Sequence, residues 1–193
     1  MPQPLVILRG DKRISYSQAV DVAMSENAIS QMQMLYVPEE DRILFRVNSA
    51  DNKQFRLWLT RRYTLLFLKA LNGHMASDPD VSIQATPEAK AAIQSFKQEQ
   101  AMEGANFQDQ FNEEAAELPL GDDVPLAYRL NYRIEAEILH LGIEPKTGQG
   151  INLAINRDIN ASLCQLIKTA AQKAEWRLAE AADGLEGHSR VIN

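Results

Sequence analysis

The sequence predicts an α+β fold in which two repeated units, each a three-strand antiparallel β-hairpin unit followed by a helix, pack as a pseudo-dimer with an acidic helix between them. Three observations predict it. Residues 43–71 and 139–167 match without a gap at a constant offset of 96 (157 − 61 = 96). In each copy apolar residues alternate across a turn, which is typical of a half-buried hairpin. A residue suited to cap a helix follows directly in both copies.

The first unit is expected over residues 28–73. After an extended stretch, apolar residues occupy every second position of 43–47 and 55–59, which predicts the two strands of the hairpin. Thr60 then predicts a helix start, because its hydroxyl can accept a hydrogen bond from the first turn. The helix is predicted to end near Gly73, since glycine takes the left-handed conformation at little cost.

The second unit repeats this pattern over residues 127–182. Its apolar alternation covers 139–143 and 151–155, and Asn156 stands where the first unit has Thr60. Asparagine is also an N-cap residue, so a second helix is predicted from this point to about residue 182.

A helical linker is expected over residues 86–117. Thr86 can cap it, Pro87 suits the first helical position and Glu88 complements the positive end of the helix dipole. Residues 1–26 are interpreted as a short strand at 5–8 followed by a weak helix or a loop at 16–24. The whole chain, 1–193, is expected to form a single globular domain, either as two packed halves or as one continuous sheet with helices on a single face.

Composition predicts a soluble, cytoplasmic protein. Hydrophobic residues make up 45% and charged residues 24% of the 193 positions, which is ordinary for a globular chain. The longest apolar runs are far shorter than the ~20 residues that cross a bilayer, so no membrane association is expected. Cys164 is the only cysteine, which fits a reducing compartment.

Charge is distributed unevenly along the chain. Residues 76–125 carry two basic and eleven acidic residues, a balance of −9, within a total of −6. A net acidic chain is a weak candidate for nucleic-acid binding, which depends on neutralising phosphates. Residues 1–75 carry ten basic and seven acidic residues, which keeps nucleic acid as an alternative partner.

The most unusual stretch lies in the second strand of the first hairpin, where Arg56 and Trp58 alternate with apolar residues. If those apolar residues face the core, Arg56 and Trp58 face outward together with Leu44 and Arg46, and Arg42 precedes them. A tryptophan beside arginines is typical of binding hot spots and can also stack on bases, so Arg42, Arg46, Arg56 and Trp58 are candidate binding residues. The alternative is that the N-terminal segment or the acidic helix covers Trp58 and that glutamates pair with the arginines.

This basic and aromatic face is not duplicated in the second unit. The residues at the positions matching 44, 46, 56 and 58 are His140, Gly142, Asn152 and Ala154. The two halves are therefore not expected to do the same work.

Trp176 is a further candidate binding residue, because on the predicted last helix it falls opposite the apolar stripe. Either the C-terminal tail covers it or a partner does. Arg61 and Arg157 occupy matching positions one residue after each helix cap, where a cation opposes the helix dipole. Pairing with a carboxylate of the other half is favoured over a bound anion, because phosphate sites usually come with glycines.

The sequence predicts no catalytic site, no metal site and no cofactor. Cys164 lies near an apolar stripe, which indicates a core residue and not a nucleophile. His74, His140 and His188 are scattered, without a cysteine or carboxylate at ligand spacing. Glycine-rich phosphate-binding motifs are absent. An enzyme whose site assembles from distant residues stays an alternative.

Several stretches are distinctive as identifiers: YVPEEDRILFRVN, FRLWLTRR, FKQEQAMEGANF, the Pro-Leu-Gly linker and KAEWRL. With these stretches the chain resembles an uncharacterised family of proteobacterial proteins, and the Arg-Leu-Trp-Leu-Thr-Arg-Arg run at 56–62 is the most specific of them. The resemblance implies a bacterial cytoplasmic setting. It carries no activity and no binding residues onto this chain.

These observations favour a non-enzymatic protein-interaction module, an adaptor or regulatory subunit, that binds another protein through a sheet edge or through the face of Arg46, Arg56 and Trp58. The alternative is a single-stranded nucleic-acid-binding protein that uses the same face. A homodimer is a further expectation, because antiparallel sheets leave open edges and two-fold oligomers are common.

Overall fold

Two β-sheets built on antiparallel hairpins, each followed by a helix, form the framework of the computed structural model, which describes residues 22–24, 28–104, 111–113 and 117–178. The predicted α+β fold of two repeated units is confirmed, and the sheets are separate instead of one continuous sheet. In chain order the elements are β1 (Val22–Met24), β2 (Ile29–Val37), β3 (Arg42–Ser49), β4 (Gln54–Leu59), α1 (Arg61–Ala76), α2 (Pro79–Ser82), α3 (Pro87–Gly104), β5 (Ala127–Glu135), β6 (Ile138–Pro145), β7 (Ile151–Ile155) and α4 (Arg157–Lys173).

The buried faces of both sheets follow the alternation in the sequence. Every second residue of the two hairpins points inward, because side chains alternate across a strand. These inward residues are at most 1% exposed, and they are Ile43, Phe45, Val47, Phe55, Leu57 and Leu59 in the first hairpin and Leu139, Leu141, Ile143, Ile151, Leu153 and Ile155 in the second. With apolar residues of α1 and α4 they form one hydrophobic core.

Each sheet also receives chain from the segment that precedes the other unit. The first sheet has the order β2–β3–β4, and the second has the order β1–β7–β6–β5. β1, which precedes the first unit, pairs in parallel with β7. Residues 117–126, which precede the second unit, run parallel to β4 through two isolated bridges. This exchange interlocks the units and places both sheets around the shared core.

The two main helices begin where the sequence predicts. The Thr60 hydroxyl accepts a hydrogen bond from the Tyr63 amide at 3.2 Å, and the Asn156 side-chain oxygen accepts one from the Ile159 amide at 2.9 Å. Both residues have extended backbone conformations, as N-caps do. The two predicted caps are therefore confirmed.

Arg61 and Arg157 connect the ends of α1 and α4. Arg157 Nη1 donates to the His74 carbonyl in the last turn of α1 at 2.7 Å, and Arg61 Nη2 donates to the Arg177 carbonyl beyond α4 at 3.4 Å. Arg61 thus lies at the negative end of the α4 dipole, and Arg157 lies at the negative end of the α1 dipole. This favourable interaction offsets the unfavourable position of each arginine at the positive end of the helix that it begins. Arg157 also pairs with Asp78 at 3.2 Å, whereas the hydrogen bond from Arg61 is to a backbone carbonyl.

Two helix ends differ from the prediction. α1 continues past Gly73 to Ala76, because His74 and Met75 in its last turn are buried and their packing outweighs the cost of about 1 kcal/mol for an interior glycine. α4 ends at Lys173 and not near residue 182. Glu175 takes the left-handed conformation there (φ 55°), and the Trp176 amide donates to the Ala171 carbonyl at 2.9 Å. This is a Schellman ending built without glycine.

The connections also need correction. Residues 22–24 form a strand where a weak helix or loop was predicted, because their backbone pairs with β7. Of the linker predicted as helical over 86–117, α3 accounts for Pro87–Gly104 and residues 111–113 are not helical. The strand predicted near residues 5–8 and the C-terminal tail lie outside the described residues. No helix within the described ranges is both long enough and apolar enough to cross a bilayer.

Candidate functional site

The outer face of the first sheet holds most of the candidate residues. The register places Arg46 of β3 directly opposite Arg56 of β4, and Leu44 opposite Trp58. Two like charges directly opposite each other are destabilising unless other groups bind them. The two arginines are in fact bound by different segments of the linker between the units.

Arg46 is covered by residues 111–113. Its side chain is 12% exposed, and it donates to the Gln33 side-chain oxygen and to Glu113 Oε1, the latter at 3.0 Å. Its guanidinium also lies 4.5 Å from the centre of the Phe111 ring, within the range of a cation–π contact. The Asn48 amide donates to the Asn112 carbonyl at 2.8 Å and fixes the same segment. Arg46 therefore fixes residues 111–113 to the outer face of the first sheet.

Arg56 is bound by backbone carbonyls instead of carboxylates. Its Nη2 donates to the carbonyl oxygens of Gly121 at 3.2 Å and Asp122 at 2.8 Å. The same stretch of chain accepts hydrogen bonds from the edge of β4, where the Trp58 amide donates to the Pro125 carbonyl at 2.9 Å. The alternative in which glutamates of the acidic helix pair with both arginines is therefore met only in part: Arg46 pairs with Glu113, which lies outside α3, and Arg56 binds backbone carbonyls. Residues 117–126 occupy the outer edge of β4.

A row of apolar side chains crosses this face beside the arginines. Leu35 lies opposite Leu44, Leu44 lies opposite Trp58, and Trp58 bridges to Leu126. Leu35 is 42% exposed and Leu126 is 38% exposed, while Leu44 and Trp58 are half-buried. We call these four residues the apolar row.

Arg42 and Trp176 come together elsewhere, in a cleft at the start of α1. The Trp176 indole donates to Asp41 Oδ1 at 3.4 Å, and its ring meets Tyr36 edge to face with centroids 6.1 Å apart. Arg42 pairs with Glu40 at 3.3 Å. The cleft has a volume of about 690 Å³ and is lined by Glu40, Asp41, Arg42, Thr60, Arg61, Ala174, Glu175 and Trp176. The five candidate binding residues therefore divide between two places: Arg46, Arg56 and Trp58 lie on the outer face of the first sheet, and Arg42 and Trp176 line the cleft.

The structure also contains a buried polar cluster that the sequence did not predict. His74 and Asn160 are fully buried. His74 Nε2 donates to the Glu137 carbonyl at 3.0 Å, which leaves Nδ1 to accept from the Asn160 amide at 2.8 Å. Burial lowers the pKa of His74, and the nearby Arg157 acts in the same direction. His74 is therefore held neutral in the fold.

The cluster continues to Asp78 at the start of α2. Burial opposes ionisation of Asp78, but hydrogen bonds from Lys97 and the Asp80 amide, with Arg157 close by, lower its pKa. Lys97 Nζ lies 2.8 Å from both carboxylate oxygens. Only the three-dimensional fold brings positions 74, 78, 97 and 160 together, so no spacing in the sequence signals this cluster.

Cys164 lies beside the cluster without forming a reactive centre. Its sulfur is 3.6 Å from Asn160 Oδ1, and burial raises the pKa of its thiol to about 11. A thiol with that pKa is protonated near neutral pH, and the thiolate is the nucleophilic form. Among the residues that the structure describes, no three histidine, cysteine, aspartate or glutamate side chains are grouped to hold a metal ion.

Comparison of the chain with protein-family models, with curated proteins and with solved structures found no match in any of the three. No function is therefore transferred from a relative.

Proposed function

We propose that this protein is a non-enzymatic interaction module, an adaptor or regulatory subunit, that binds another protein through the outer face of its first sheet. The observation that carries the proposal is the apolar row of Leu35, Leu44, Trp58 and Leu126, which crosses the sheet with two of its members more than a third exposed. Contiguous exposed apolar side chains are typical of interaction surfaces.

The chemistry of this face suits a protein partner. Tryptophan is enriched among the residues that dominate binding energy, and burying one large apolar side chain contributes about 1.5–3 kcal/mol. Arg46 and Arg56 are already bound to Glu113 and to backbone carbonyls, so these guanidinium groups are engaged within the chain. That engagement favours a partner with apolar side chains over a phosphate backbone.

The face is favoured over two of the sheet edges, the outer edges of β4 and β7. Residues 117–126 occupy the outer edge of β4, and β1 occupies the outer edge of β7. A partner strand cannot pair with β4 or β7 without displacing these segments. The proposal therefore places the partner across the strands, over the apolar row.

Site-specific photo-crosslinking in cells tests this proposal. A photo-reactive amino acid is placed at position 35 and, as the matched control, at position 133. These positions correspond because Leu35 lies opposite Leu44, and Arg133 lies opposite His140, the residue matching Leu44 (44 + 96 = 140). We expect a discrete protein adduct at position 35 that survives nuclease and is absent at position 133.

Two outcomes contradict the proposal. Equal adducts at both positions indicate a surface without selectivity, and no adduct at position 35 indicates that the row is not bound. An adduct that nuclease removes favours the single-stranded nucleic-acid alternative, whose binding should also weaken steeply with salt.

A further inference from the structure

α3 is attached to the protein differently from the two main helices. None of its described side chains is buried, and Phe96 on its surface is 58% exposed. α1, by contrast, buries Tyr63, Phe67 and Leu71 in the core. Most of the stability of a protein helix comes from packing of an apolar face, so α3 gains little from the core.

A cleft of about 690 Å³ lies where α3 meets α4. Met32, Met75 and Ile159 supply apolar lining, and Met75 is itself a buried core residue. α3 contributes one wall of the cleft through Lys97, Gln100 and Ala101. The remaining lining residues are Asp78, Arg157, Asp158 and Ser162.

Lys97 fastens α3 across this cleft. Its ammonium contacts Asp78 at 2.8 Å and Asp80 at 2.6 Å, both on or beside α2. The Asp78 side chain is 3% exposed and also pairs with Arg157 at 3.2 Å. If α3 is removed, the charged groups that line the cleft are the carboxylates of Asp78 and Asp158 and the guanidinium of Arg157. The lining then has a net charge of −1, which a basic residue would neutralise.

We propose that α3 is a strap latched by Lys97, and that the opened cleft accepts an amphipathic helix of a partner protein that carries a lysine or arginine in the place of Lys97. The charge left at Asp78 selects the basic residue. Met32 and Met75 suit a partner helix, because methionine side chains adapt to varied apolar surfaces. This surface is separate from the apolar row, so the inference does not depend on the proposed function.

Hydrogen exchange of the full chain tests the latch. We expect Lys97→Ala to speed exchange of the α3 amides roughly five- to tenfold, because local opening free energy governs exchange. Lys90→Ala is the matched control, since Lys90 is exposed on the same helix and the change has the same helix propensity. Unchanged α1 exchange shows that both variants remain folded. Unchanged α3 exchange in Lys97→Ala overturns the strap.

A labelled peptide of residues 86–104 tests the acceptor cleft, because it carries the helix and the lysine that the cleft holds in the intact chain. We expect it to bind the Lys97→Ala chain roughly five- to tenfold more tightly than the wild-type chain, in which α3 competes. A peptide with Lys97→Ala should bind more weakly than the native peptide. Equal binding of the two peptides, or binding to neither chain, overturns the acceptor role even if α3 exchange is faster.

Discussion

The outer face of the first sheet carries an apolar row, whereas the matching row of the second sheet is polar or small. The first row is Leu35, Leu44 and Trp58 with Leu126, and the second is Arg133, His140 and Ala154. Beside the second row, Glu135 Oε2 lies 3.3 Å from Arg133 Nη2 and 3.6 Å from His140 Nε2. The inner faces are alike because both must enter one core, so the difference between the units lies on the side that the core does not constrain.

A second difference concerns the chain that covers each sheet. Arg46 and Arg56 hold residues 111–113 and 121–122 onto the first sheet. Gly142 and Asn152 stand at these positions in the second sheet, and a Cβ on Gly142 would lie 3.0 Å from Asn152 Oδ1. The arginines therefore anchor the linker on one unit only, which leaves the apolar row as the exposed part of that face.

The largest expected effects come from changes to the hydrophobic core that the two units share. Leu57→Ala and the matching Leu153→Ala (57 + 96 = 153) each remove a side chain that is at most 1% exposed. We expect each to lower the free energy of unfolding by about 2–5 kcal/mol, because a cavity is left in the core. Urea denaturation measures both. A single transition in both variants supports one shared core, whereas loss of only one unit contradicts it.

A smaller effect distinguishes the two arginines of β3. Arg46→Ala removes the contacts to Gln33, Glu113 and Phe111, and we expect a loss of about 1–2 kcal/mol in the free energy of unfolding. Arg42→Ala is the control, since the Arg42 side chain is 38% exposed and its ion pair with Glu40 lies at the surface, and it should cost less than about 0.5 kcal/mol. Equal losses in urea denaturation contradict the anchoring role of Arg46.

The stability of the protein should also depend on pH, because His74 is buried in the first unit. Because the pKa of His74 lies below its ordinary value of 6.5 in the fold, the unfolded chain takes up the proton first as the pH falls. Stability is therefore expected to decrease from about pH 6.5 towards the lower folded pKa. The second unit has the buried Ala170 at the matching position (74 + 96 = 170).

Replacing both partners tests this dependence. The double change His74→Leu/Asn160→Leu removes the titrating ring together with the side-chain amide that donates to it. The carbonyls of Leu71 and Glu137 lose their donors, so the test compares the dependence of stability on pH and not the absolute stability. Urea midpoints measured between pH 7.5 and 5.5 should fall with pH in the wild type and change less in the double variant. An equal fall in both would show that another group carries the dependence.

The sequence predicts the parts of the fold that depend on local pattern. Alternation predicts both hairpins, and Thr60 and Asn156 predict both helix starts, because these signals lie within a few residues. The pairing of β1 with β7 could not be predicted, since a strand of three residues carries no alternation. The left-handed Glu175 ends α4 without the glycine that usually marks such a position.

For the candidate site, alternation predicts that Arg46, Arg56 and Trp58 share a face, and the structure places them there. The sequence could not predict which chain covers them, because the Arg56 contacts are to backbone carbonyls that any residue offers. The separation of Trp176 from this face depends on where α4 ends, and that ending is set by backbone hydrogen bonds.

The binding role of the apolar row can be tested by giving the first sheet the residues that the second sheet has at the matching positions. The triple change Leu35→Arg/Leu44→His/Trp58→Ala is compared with the wild type and with the second-sheet variant Arg133→Ala/His140→Ala. In all three proteins a photo-reactive amino acid at position 126 crosslinks the partner. Mass spectrometry then measures how much partner is recovered. We predict that the amount of partner recovered falls at least about tenfold in the triple variant, because hot-spot residues carry most of the binding energy. The second-sheet variant should recover as much partner as the wild type. Undiminished recovery with a folded triple variant would contradict the claim that the first sheet's outer face binds the partner.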